Sequence, residues 1–300
     1  MNKLKGVLVH NAGLMTDKFL EINEMYMSAA KEEGIELICI KNTDIKMVID
    51  GGNVVCKFPH GIQDIGFILF LDKDIRLAKQ LEKDGYKLYN SASTIENCDD
   101  KIRTAQVLAN SGVNLPKTIF APMIFNDTLP KEEEYYKSIE QDLNYPLVIK
   151  EAFGSFGNQV YLAKNRQELK QVHSKVINKP HLYQEFVSTS KGRDVRVQVV
   201  GNKVIASMLR VSKDDFRANV TNGGTMHSID LPKSFEELAL RAASIIGADF
   251  AGVDLLFGEN NQPVLCEINS NAHIKNIYDC TGINVASCIL QYIKGETYGY

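Results

Sequence analysis

Residues 250 to 269 read FAGVDLLFGENNQPVLCEIN and predict a β-hairpin whose turn lies at Asn260-Asn261. Asparagine suits such a turn because it tolerates the positive φ that a two-residue loop requires. With that loop, Asp254 lies directly opposite Glu267, and Asn269 faces the same side of the sheet. Two opposed carboxylates and an amide oxygen are hard ligands that suit Mg²⁺. The hairpin therefore predicts a magnesium site, with a solvated strand face carrying two ordinary acids as the alternative.

Upstream of this hairpin, the first hundred residues alternate short apolar runs with helical patterns. The runs at residues 6–9, 35–40 and 65–71 predict strands, and the patterns at 18–33 and 74–83 predict helices. Strands that alternate with crossover helices form a parallel sheet. The N-terminal part of the chain is therefore expected to be an α/β unit.

The remainder of the chain predicts two mixed α+β units. A single helix is expected at residues 99–111, since Gly112 follows it. Strands and helices then alternate, and hairpins dominate towards the C-terminus. We predict an N-terminal α/β subdomain at 1–97, a central lobe at 98–187 and a C-terminal lobe at 188–300.

Composition excludes several classes of protein. The 300 residues carry a net charge of −3 at pH 7, which argues against a protein that coats nucleic acid or an anionic membrane. The longest apolar run, residues 65–71, is far shorter than the roughly 20 residues that a bilayer requires. Six cysteines lie scattered without a C-x-x-C pair, and the first residues lack the apolar core of a secretion signal. We expect a cytoplasmic protein with reduced thiols and without nucleic-acid or membrane partners.

A glycine-rich loop follows a predicted strand that ends in Lys150. Residues 152 to 158 read AFGSFGN, in which two glycines and a serine allow backbone N–H groups to approach an anion. The loop is neither a Walker A loop nor a Rossmann fingerprint. It predicts a phosphate-binding loop whose charge comes from the lysine, or an ordinary turn between strands.

Four arginines lie in or near apolar, strand-like segments of the C-terminal part, namely Arg193, Arg196, Arg210 and Arg217. An arginine on an apolar sheet face usually has an anionic partner. That partner is either a bound anion or one of the aspartates Asp194, Asp214 and Asp215. Together with the lysine, the loop and the acidic cluster, these arginines favour a protein that holds a triphosphate and an anionic intermediate.

Six short motifs in this order resemble the ATP-grasp superfamily. They are Asp100-Lys101, Val148-Ile149-Lys150, Gln184-Glu185-Phe186, Asp194-Val195-Arg196, Asp215-Phe216-Arg217-Ala218-Asn219, and Asp254 with Glu267-Ile268-Asn269. The Asp-Phe-Arg-x-Asn and Asp-x-Arg segments are similar to the RimK-like branch, which contains the ribosomal-protein glutamate ligase. The resemblance covers roughly residues 90 to 290. It implies the ATP-grasp fold, in which an α/β subdomain precedes two α+β lobes that sandwich the nucleotide.

The resemblance also implies a role for each matching residue. The residues implied to bind ATP are Lys101, Lys150, Gly154, Ser155, Gly157, Gln184, Glu185, Phe186, Val187, Asp194, Arg217, Ala218 and Asn219. The two lysines would contact the phosphates, and Glu185 and Phe186 would take the adenine edge. Mg²⁺, in two ions or replaced by Mn²⁺, would be held by Asp254, Glu267 and Asn269. Arg196, Arg210 and Arg217 would act as catalytic residues on the carboxylate being activated or on its acyl phosphate.

The implied reaction is that of an ATP-dependent carboxylate–amine ligase. An acceptor carboxylate would attack the γ-phosphate of ATP to give an acyl phosphate and ADP, and an amine such as that of glutamate would displace phosphate. Positioning and electrostatics would do most of the work, because both steps place negative charge near arginines and Mg²⁺. The acceptor would be a metabolite, a peptide or a protein tail, and homo-oligomers are common in the family.

Two segments depart from the family pattern, and both would border the acceptor pocket. Residues 220 to 222 lack the basic residue that the branch usually carries before its Gly-Gly pair. Residues 270 to 273 read SNAH where a Ser-Pro-Gly-like turn is common. His273 either touches substrate or caps a helix. The family's particular substrate therefore cannot be carried over.

Two other functions remain open at this point. A kinase acting on a small hydroxyl acceptor would use the same scaffold, although Arg196 and Arg210 favour a carboxylate. A non-catalytic nucleotide-binding protein would be expected to lack a metal ligand, and all three ligands are present.

Overall fold

The computed structural model describes residues 3–126, 128–218 and 223–299. Its strands are β1 (Lys5–His10), β2 (Glu36–Lys41), β3 (Lys46–Asp50), β4 (Asn53–Lys57), β5 (Phe67–Leu71), β6 (Leu88–Tyr89), β7 (Thr118–Phe120), β8 (Leu147–Glu151), β9 (Val160–Ala163), β10 (His181–Glu185), β11 (Arg193–Val200), β12 (Lys203–Val211), β13 (Thr225–Ser228), β14 (Phe250–Phe257) and β15 (Pro263–Asn269). Its helices are α1 (Asp17–Glu32), α2 (Ile75–Lys83), α3 (Ala92–Asp99), α4 (Lys101–Leu108), α5 (Glu132–Asp142), α6 (Arg166–Val176), α7 (Lys233–Ile246), α8 (Ile274–Thr281) and α9 (Val285–Tyr298). Within the described ranges, none of these helices is long and apolar enough to cross a membrane.

The N-terminal sheet has the order β2-β1-β5-β6, and every pairing in it is parallel. Strand β5 is buried along its whole length, because helices cover both faces of the sheet. Leu8 and Leu69 pack on the face covered by α1, whereas Val7 and Ile68 pack on the face covered by α2. The predicted parallel α/β unit is confirmed, and the β3–β4 hairpin is an addition that the sequence did not indicate.

The two C-terminal helices pack against the N-terminal sheet. Ile277 of α8 and Ile289 and Ile293 of α9 belong to the same apolar core as Leu8 and Tyr26. The chain therefore returns at its end to the unit in which it begins. Helices α8 and α9, which the sequence assigns to the C-terminal lobe, thus contribute to the N-terminal core. The predicted domain boundaries at 97 and 187 stay predictions.

The helix predicted at residues 99–111 is present but shorter, as α4 (Lys101–Leu108), and the preceding helix α3 was not predicted. Two helices, α3 and α4, meet at Asp100, whose backbone is extended with φ −98° and ψ 108°. Its carboxylate accepts hydrogen bonds from the backbone N–H groups of Ile102 and Arg103 at 2.9 and 3.3 Å. An aspartate at this position caps a new helix, and therefore the chain bends between the N-terminal unit and the central lobe.

Two antiparallel sheets form the rest of the molecule. The central sheet has the order β7-β10-β8-β9, and helices α5 and α6 cover one of its faces. The C-terminal sheet has the order β13-β12-β11-β14-β15, and α7 covers one of its faces. Helices α8 and α9 cover part of the other face of the C-terminal sheet, and the remainder of that face borders a cavity shared with the central sheet.

The hairpin formed by β14 and β15 has the predicted turn, and its register has two shifts that were not predicted. Asn260 and Asn261 have φ of 54° and 57°, and the N–H of Gln262 donates to the carbonyl of Glu259 at 3.0 Å. Phe257 then pairs with Pro263, one residue out of the register that the turn alone would set. A second shift beside Asp254 restores the register, because one strand carries an extra residue there. Asp254 is therefore paired with Glu267 as predicted.

Candidate active site

One cavity of about 240 Å³ lies between the three sheets and collects residues from distant parts of the chain. The predicted site residues that line it are Lys101, Lys150, Ser155, Gly157, Gln184, Glu185, Phe186, Val187, Asp194, Arg196, Arg210, Arg217, Ala218, Asp254, Glu267 and Asn269. Gly154 is absent from this lining, and Asn219 lies outside the described residues. A cleft with convergent charged groups is the usual form of a small-molecule site.

The glycine-rich loop, residues 152–159, joins β8 to β9 and stands beside the two lysines. Lys150 is 8% exposed on β8, with its ammonium 3.9 Å from the Sγ of Cys266, and Lys101 donates to the carbonyl of Gly154 at 3.3 Å. Gly154 adopts φ +148°, and a Cβ there would lie 2.4 Å from the Oε1 of Gln159. A glycine is therefore required for the loop to take this path.

The end of β10 borders the cavity on the side of the central lobe. Gln184 donates to the hydroxyl of Thr118 at 2.9 Å, and Glu185 accepts from the N–H of Lys117 at 2.8 Å. Phe186 packs edge-on against Phe216, with ring centroids 6.2 Å apart. This strand end therefore offers an apolar wall and backbone groups, which is the combination that a flat heterocyclic base requires.

Strand alternation places the charged side chains of the C-terminal sheet on one face. Val195 and Val197 of β11 pack into the core under α7, and Asp194 and Arg196 therefore point to the opposite side. In β14 the same alternation buries Val253 under α7 and turns its neighbour Asp254 towards the cavity. The site is thus built on the face of the C-terminal sheet opposite α7, beside the part that α8 and α9 cover.

Four of these side chains form a closed ionic network. Both oxygens of Asp254 accept hydrogen bonds from Arg196, through Nε and, at 2.7 Å, through Nη2. Arg210 donates to the two oxygens of Asp194 at 2.6 and 2.8 Å, and its Nη2 lies 2.9 Å from Asp254 Oδ2. Each of the four residues is at most 9% exposed. Two guanidiniums and two carboxylates therefore neutralise each other in the floor of the cavity.

This network changes the ionisation of its members. Burial alone would raise the pKa of Asp254, but the guanidiniums of Arg196 and Arg210 outweigh it and hold that pKa below its usual range. Burial raises the pKa of Asp194, with Arg210 opposing the change. Burial would lower the pKa of Arg210, yet the two carboxylates raise it above its usual value. The arginine therefore stays charged.

The network adds partners to two sequence-based expectations, which both stay predictions. Asp254 does not require a metal ion to offset repulsion from Glu267, because the two arginines supply the compensating charge. Arg196 and Arg210 were expected to hold a substrate carboxylate, but in this structure their hydrogen bonds go mainly to aspartates of the chain. Their first role is to fix Asp254 in place. The ion-pair alternative is observed for Arg210, which binds Asp194, whereas Arg196 binds Asp254, an aspartate that this alternative did not include.

Arg217 connects two loops over the cavity. Its guanidinium binds the carboxylate of Asp215, with Nη2 at 2.7 Å, and its Nη1 donates to the carbonyl of Gly157 at 2.5 Å. These hydrogen bonds to Asp215 lower the pKa of that carboxyl. The segment around Arg217 is therefore tied to the glycine-rich loop.

The donor set at Glu267 suits an oxygen-ligated cation. The Glu267 carboxylate and the Asn269 amide both line the cavity and have no ion pair or hydrogen bond to other described residues. Asp254 Oδ1 accepts one hydrogen bond and keeps a free lone pair. In residues 3–126, 128–218 and 223–299 no three His, Cys, Asp or Glu side chains are grouped to hold a metal ion. Asp254, Glu267 and the Asn269 amide are hard oxygen donors, and such a set would fit Mg²⁺.

The N-terminal unit contributes residues to the cavity that sequence reasoning missed. His10 is the last residue of β1 and Asn11 follows it, Lys73 lies two residues after β5, and Lys18 lies in the first turn of α1. The ammonium of Lys73 is 3.3 Å from the hydroxyl of Ser155 in the glycine-rich loop. Their position after predicted strands of a parallel sheet could have indicated them, because ligands bind to such sheets at the carboxyl ends of the strands.

His273 does not cap a helix. It precedes α8, yet its side chain makes no capping hydrogen bond, and its ring lines the cavity. Burial, with positive charge from Lys18 and Arg196, lowers its pKa to about 3. The imidazole is therefore neutral at physiological pH.

Comparisons with known proteins agree with this geometry. A model of the RimK-like ATP-grasp domain matches residues 98–293. Human N-acetylaspartylglutamate synthase A is 35% identical over 225 residues, which are 74% of this chain and 56% of that protein. The uncharacterized protein MG012 of Mycoplasma genitalium is 31% identical over 229 residues, 75% of this chain and 79% of that protein. An ATP-grasp RimK domain protein from Sphaerobacter thermophilus superposes with a TM-score of 0.72 at 17% identity, covering 96% of this chain and 98% of its own.

Three sheets around one charged cavity, with these relatives, define a protein of the ATP-grasp fold. Within that class, the chain belongs to the RimK-like ATP-grasp family. The resemblance and the fold class predicted from the sequence are confirmed. The chain spans little more than half the length of the human synthase that it matches.

Proposed function

We propose that the protein is an ATP-dependent carboxylate–amine ligase that releases ADP and phosphate. One observation carries the proposal: a single cavity brings two lysines and a glycine-rich loop of the central lobe against an acidic cluster fixed by arginines in the C-terminal sheet. The lysines suit the phosphates of a nucleotide, and the acidic cluster suits the cation that accompanies it.

ATP would lie between the central and C-terminal sheets. Lys101 and Lys150 would contact its phosphates under the glycine-rich loop, and Phe186 with the backbone at Val187 would receive the adenine. The backbone carbonyl of Val187 already accepts from the N–H of Ser190 at 3.0 Å, which fixes the strand end. Gln184, Ser155, Gly157 and Ala218 complete the wall of this part of the cavity.

Mg²⁺ would be held by Glu267, Asn269 and the free lone pair of Asp254. When bound, the ion would neutralise charge on the phosphates. The arginines would keep the Asp254 carboxylate ionised and oriented, so that the site is preorganised. The number of ions and the use of Mn²⁺ stay predictions.

The reaction needs two bond exchanges. A carboxylate oxygen of the acceptor forms a bond to the γ-phosphorus while the bond to the ADP oxygen breaks. The amine then attacks the acyl carbon, and phosphate leaves with that same carboxylate oxygen. The cations of this chain that face these steps are Lys101, Lys150, Arg217 and the Nη1 group of Arg196, and they would stabilise negative charge as it moves.

The Nη1 group of Arg196 would face the acceptor side of the cavity. Its Nε and Nη2 bind Asp254, while its Nη1 lies 3.2 Å from the position of a Cβ built on Gly252. The Cβ of Ala272 is 2.3 Å from the same position. Nη1 is therefore next to segment 270–273, where the acceptor carboxylate would lie.

The substrates are proposed only by class. The matched human protein is named N-acetylaspartylglutamate synthase, which supports an amino acid such as glutamate as the amine. The acceptor would be a metabolite, a peptide or a protein tail. Six cysteines, all free thiols, support a cytoplasmic location, and self-association stays a prediction.

A substrate screen tests the proposed function. The protein is incubated with ATP, Mg²⁺, each of twenty amino acids and a panel of carboxylates, and phosphate, ADP and product mass are measured. We expect phosphate release that requires both an amine and a carboxylate, with a product lighter by one water than the two substrates together. A phosphorylated product without free phosphate would indicate a kinase. Nucleotide binding without any ADP would indicate a non-catalytic protein.

A further inference from the structure

The side of the cavity formed by the N-terminal unit has its own chemistry. Segments 10–23, 71–73 and 270–276 line it, and among their described lining residues the charged ones are Lys18 and Lys73. Lys73 is paired with Asp99, whereas the other polar lining groups are asparagines and histidines. This side therefore presents positive charge and neutral hydrogen-bonding groups to a ligand bound beside the proposed nucleotide site.

His273 is the first unusual feature of this side. Both of its ring nitrogens are buried and lack a hydrogen-bond partner. A neutral imidazole offers one N–H donor and one lone pair, and leaving both unsatisfied costs free energy. Its ring packs edge-on against Phe19 of α1, with centroids 6.2 Å apart, so its orientation is fixed. The ring is therefore ready to meet a ligand that both donates and accepts.

Lys18 is the second feature. It is half-buried, and no carboxylate among the described residues lies within ion-pair distance of its ammonium. The ammonium lies 5.7 Å from the ring centroid of Phe156 in the glycine-rich loop, and Phe156 packs edge-on against Phe19. Lys18 and His273 thus flank the same aromatic pair. The Lys18 ammonium is close enough to His273 to contribute to the lowered pKa of that imidazole.

We propose that Lys18 and His273 recognise the acceptor, which is a small molecule with a second carboxylate bound by Lys18 and an adjacent hydrogen-bonding group bound by His273. Its reacting carboxylate would then lie at Nη1 of Arg196, beside the nucleotide. This inference rests on the proposed function for the identity of the acceptor. Binding of the second carboxylate, which does not react, would orient the reacting carboxylate and so favour turnover. Acceptors with a single carboxylate would lack this contact and would be selected against.

Calorimetric titration tests this recognition without requiring turnover. The probes are citrate, N-acetylaspartate and succinate, with succinamate as the half-amide match of succinate, each titrated with and without ADP and Mg²⁺. We expect the dicarboxylates to bind and succinamate to bind roughly tenfold more weakly, since one charge-assisted contact is lost. Among the dicarboxylates, those with a hydroxyl or amide group are expected to bind more tightly than succinate.

Matched variants assign the effect to the two residues. Lys18→Ala is expected to weaken dicarboxylate binding roughly tenfold and to remove the preference for succinate over succinamate, and Lys18→Arg is expected to restore both. His273→Leu is expected to remove the advantage of citrate and N-acetylaspartate over succinate, with His273→Asn retaining part of it. Lys233→Ala and His60→Leu, at exposed positions, are the controls. Nucleotide affinity is measured for every variant and is expected to stay unchanged.

Two results would overturn the inference: no binding by any dicarboxylate in either condition, or equal binding by wild type and both loss variants. The proposed function fails separately. If dicarboxylates bind in a Lys18-dependent manner but no amine and ATP combination gives phosphate, the recognition site stands and the ligase activity does not.

Discussion

Asp254 lies directly opposite Glu267 across strands β14 and β15, yet the two carboxylates have different surroundings. Arg196 and Arg210 bind Asp254, whereas Glu267 has no ion pair with any described residue. The chain itself therefore neutralises one acid of the pair and leaves the other free. A free carboxylate in the cavity that we propose for ATP is a suitable ligand for Mg²⁺.

Glu267→Gln is expected to abolish turnover while leaving the fold intact. The amide keeps the size of the side chain but removes the negative charge that would hold Mg²⁺, and we expect kcat to fall about 100-fold or more. Steady-state phosphate release and thermal unfolding are the measurements. Glu259→Gln, an exposed acid in the turn of the same hairpin, is the control. Mg²⁺-dependent activity retained in Glu267→Gln would remove this residue from the metal site.

Lys150→Ala is expected to weaken ATP binding. A charge-assisted contact to phosphate contributes about 2 kcal/mol, which corresponds to an affinity lower by about 30-fold. Titration with a fluorescent ATP analogue measures the affinity, and Lys203→Ala, exposed on β12, controls for the loss of a charge. Equal affinities in wild type and Lys150→Ala would contradict the phosphate role.

Arg196→Lys is expected to destabilise the protein and reduce activity together. An ammonium cannot reproduce the two-pronged contact to Asp254, and the loss of one buried charge-assisted hydrogen bond costs about 2 kcal/mol. Urea unfolding gives the change in the free energy of unfolding. A variant with unchanged stability and activity would show that the network neither holds nor orients Asp254.

Two buried histidines in the central lobe predict a pH dependence of stability. His173 donates or accepts at Tyr136, and His181 contacts Tyr183 at 2.9 Å, each with a side chain 1% exposed. Burial lowers the pKa of both in the folded protein. The unfolded chain therefore takes up protons first as pH falls below about 6.5, and the free energy of unfolding decreases.

The change in the free energy of unfolding with pH is limited by the uptake of one proton for each histidine. The slope is expected to be at most about 1.4 kcal/mol per pH unit for each residue, and His181→Gln is expected to reduce it. Urea unfolding of wild type and variant at pH 7.5 and 5.5 measures the difference, with the exposed His60→Gln as control. A slope in His181→Gln identical to that of wild type would mean that the histidine does not contribute.

Local sequence patterns predict the elements well but not their exact register. The Gly201-Asn202 turn alone would set Asp194 opposite Leu209, whereas a register shift beside Gln198 sets it opposite Arg210. The neighbouring strand β14, which is distant in sequence, brings Asp254 opposite Arg196. The ionic network therefore depends on a bulge and on strand order, neither of which has a local signal.

The sequence indicated His273 as a candidate on the proposed acceptor side but missed Lys18, for a related reason. Lys18 and His273 are 255 residues apart, and they meet only because α8 and α9 pack back onto the N-terminal sheet. The residues proposed to bind the nucleotide, by contrast, lie in short motifs that can be recognised in the sequence itself. Motifs therefore predicted residues that the structure brings into one cavity, and only the three-dimensional packing supplied their partners and the remaining wall.

Isotope transfer tests the acyl-phosphate chemistry most directly. Whichever carboxylate supports turnover is labelled with ¹⁸O in the reacting group and incubated with ATP, Mg²⁺ and the amine, and the released phosphate is analysed by mass spectrometry. We predict that each turnover transfers one ¹⁸O atom from the carboxylate to phosphate. Phosphate that carries no ¹⁸O while the amide product accumulates would contradict activation of the carboxylate by ATP.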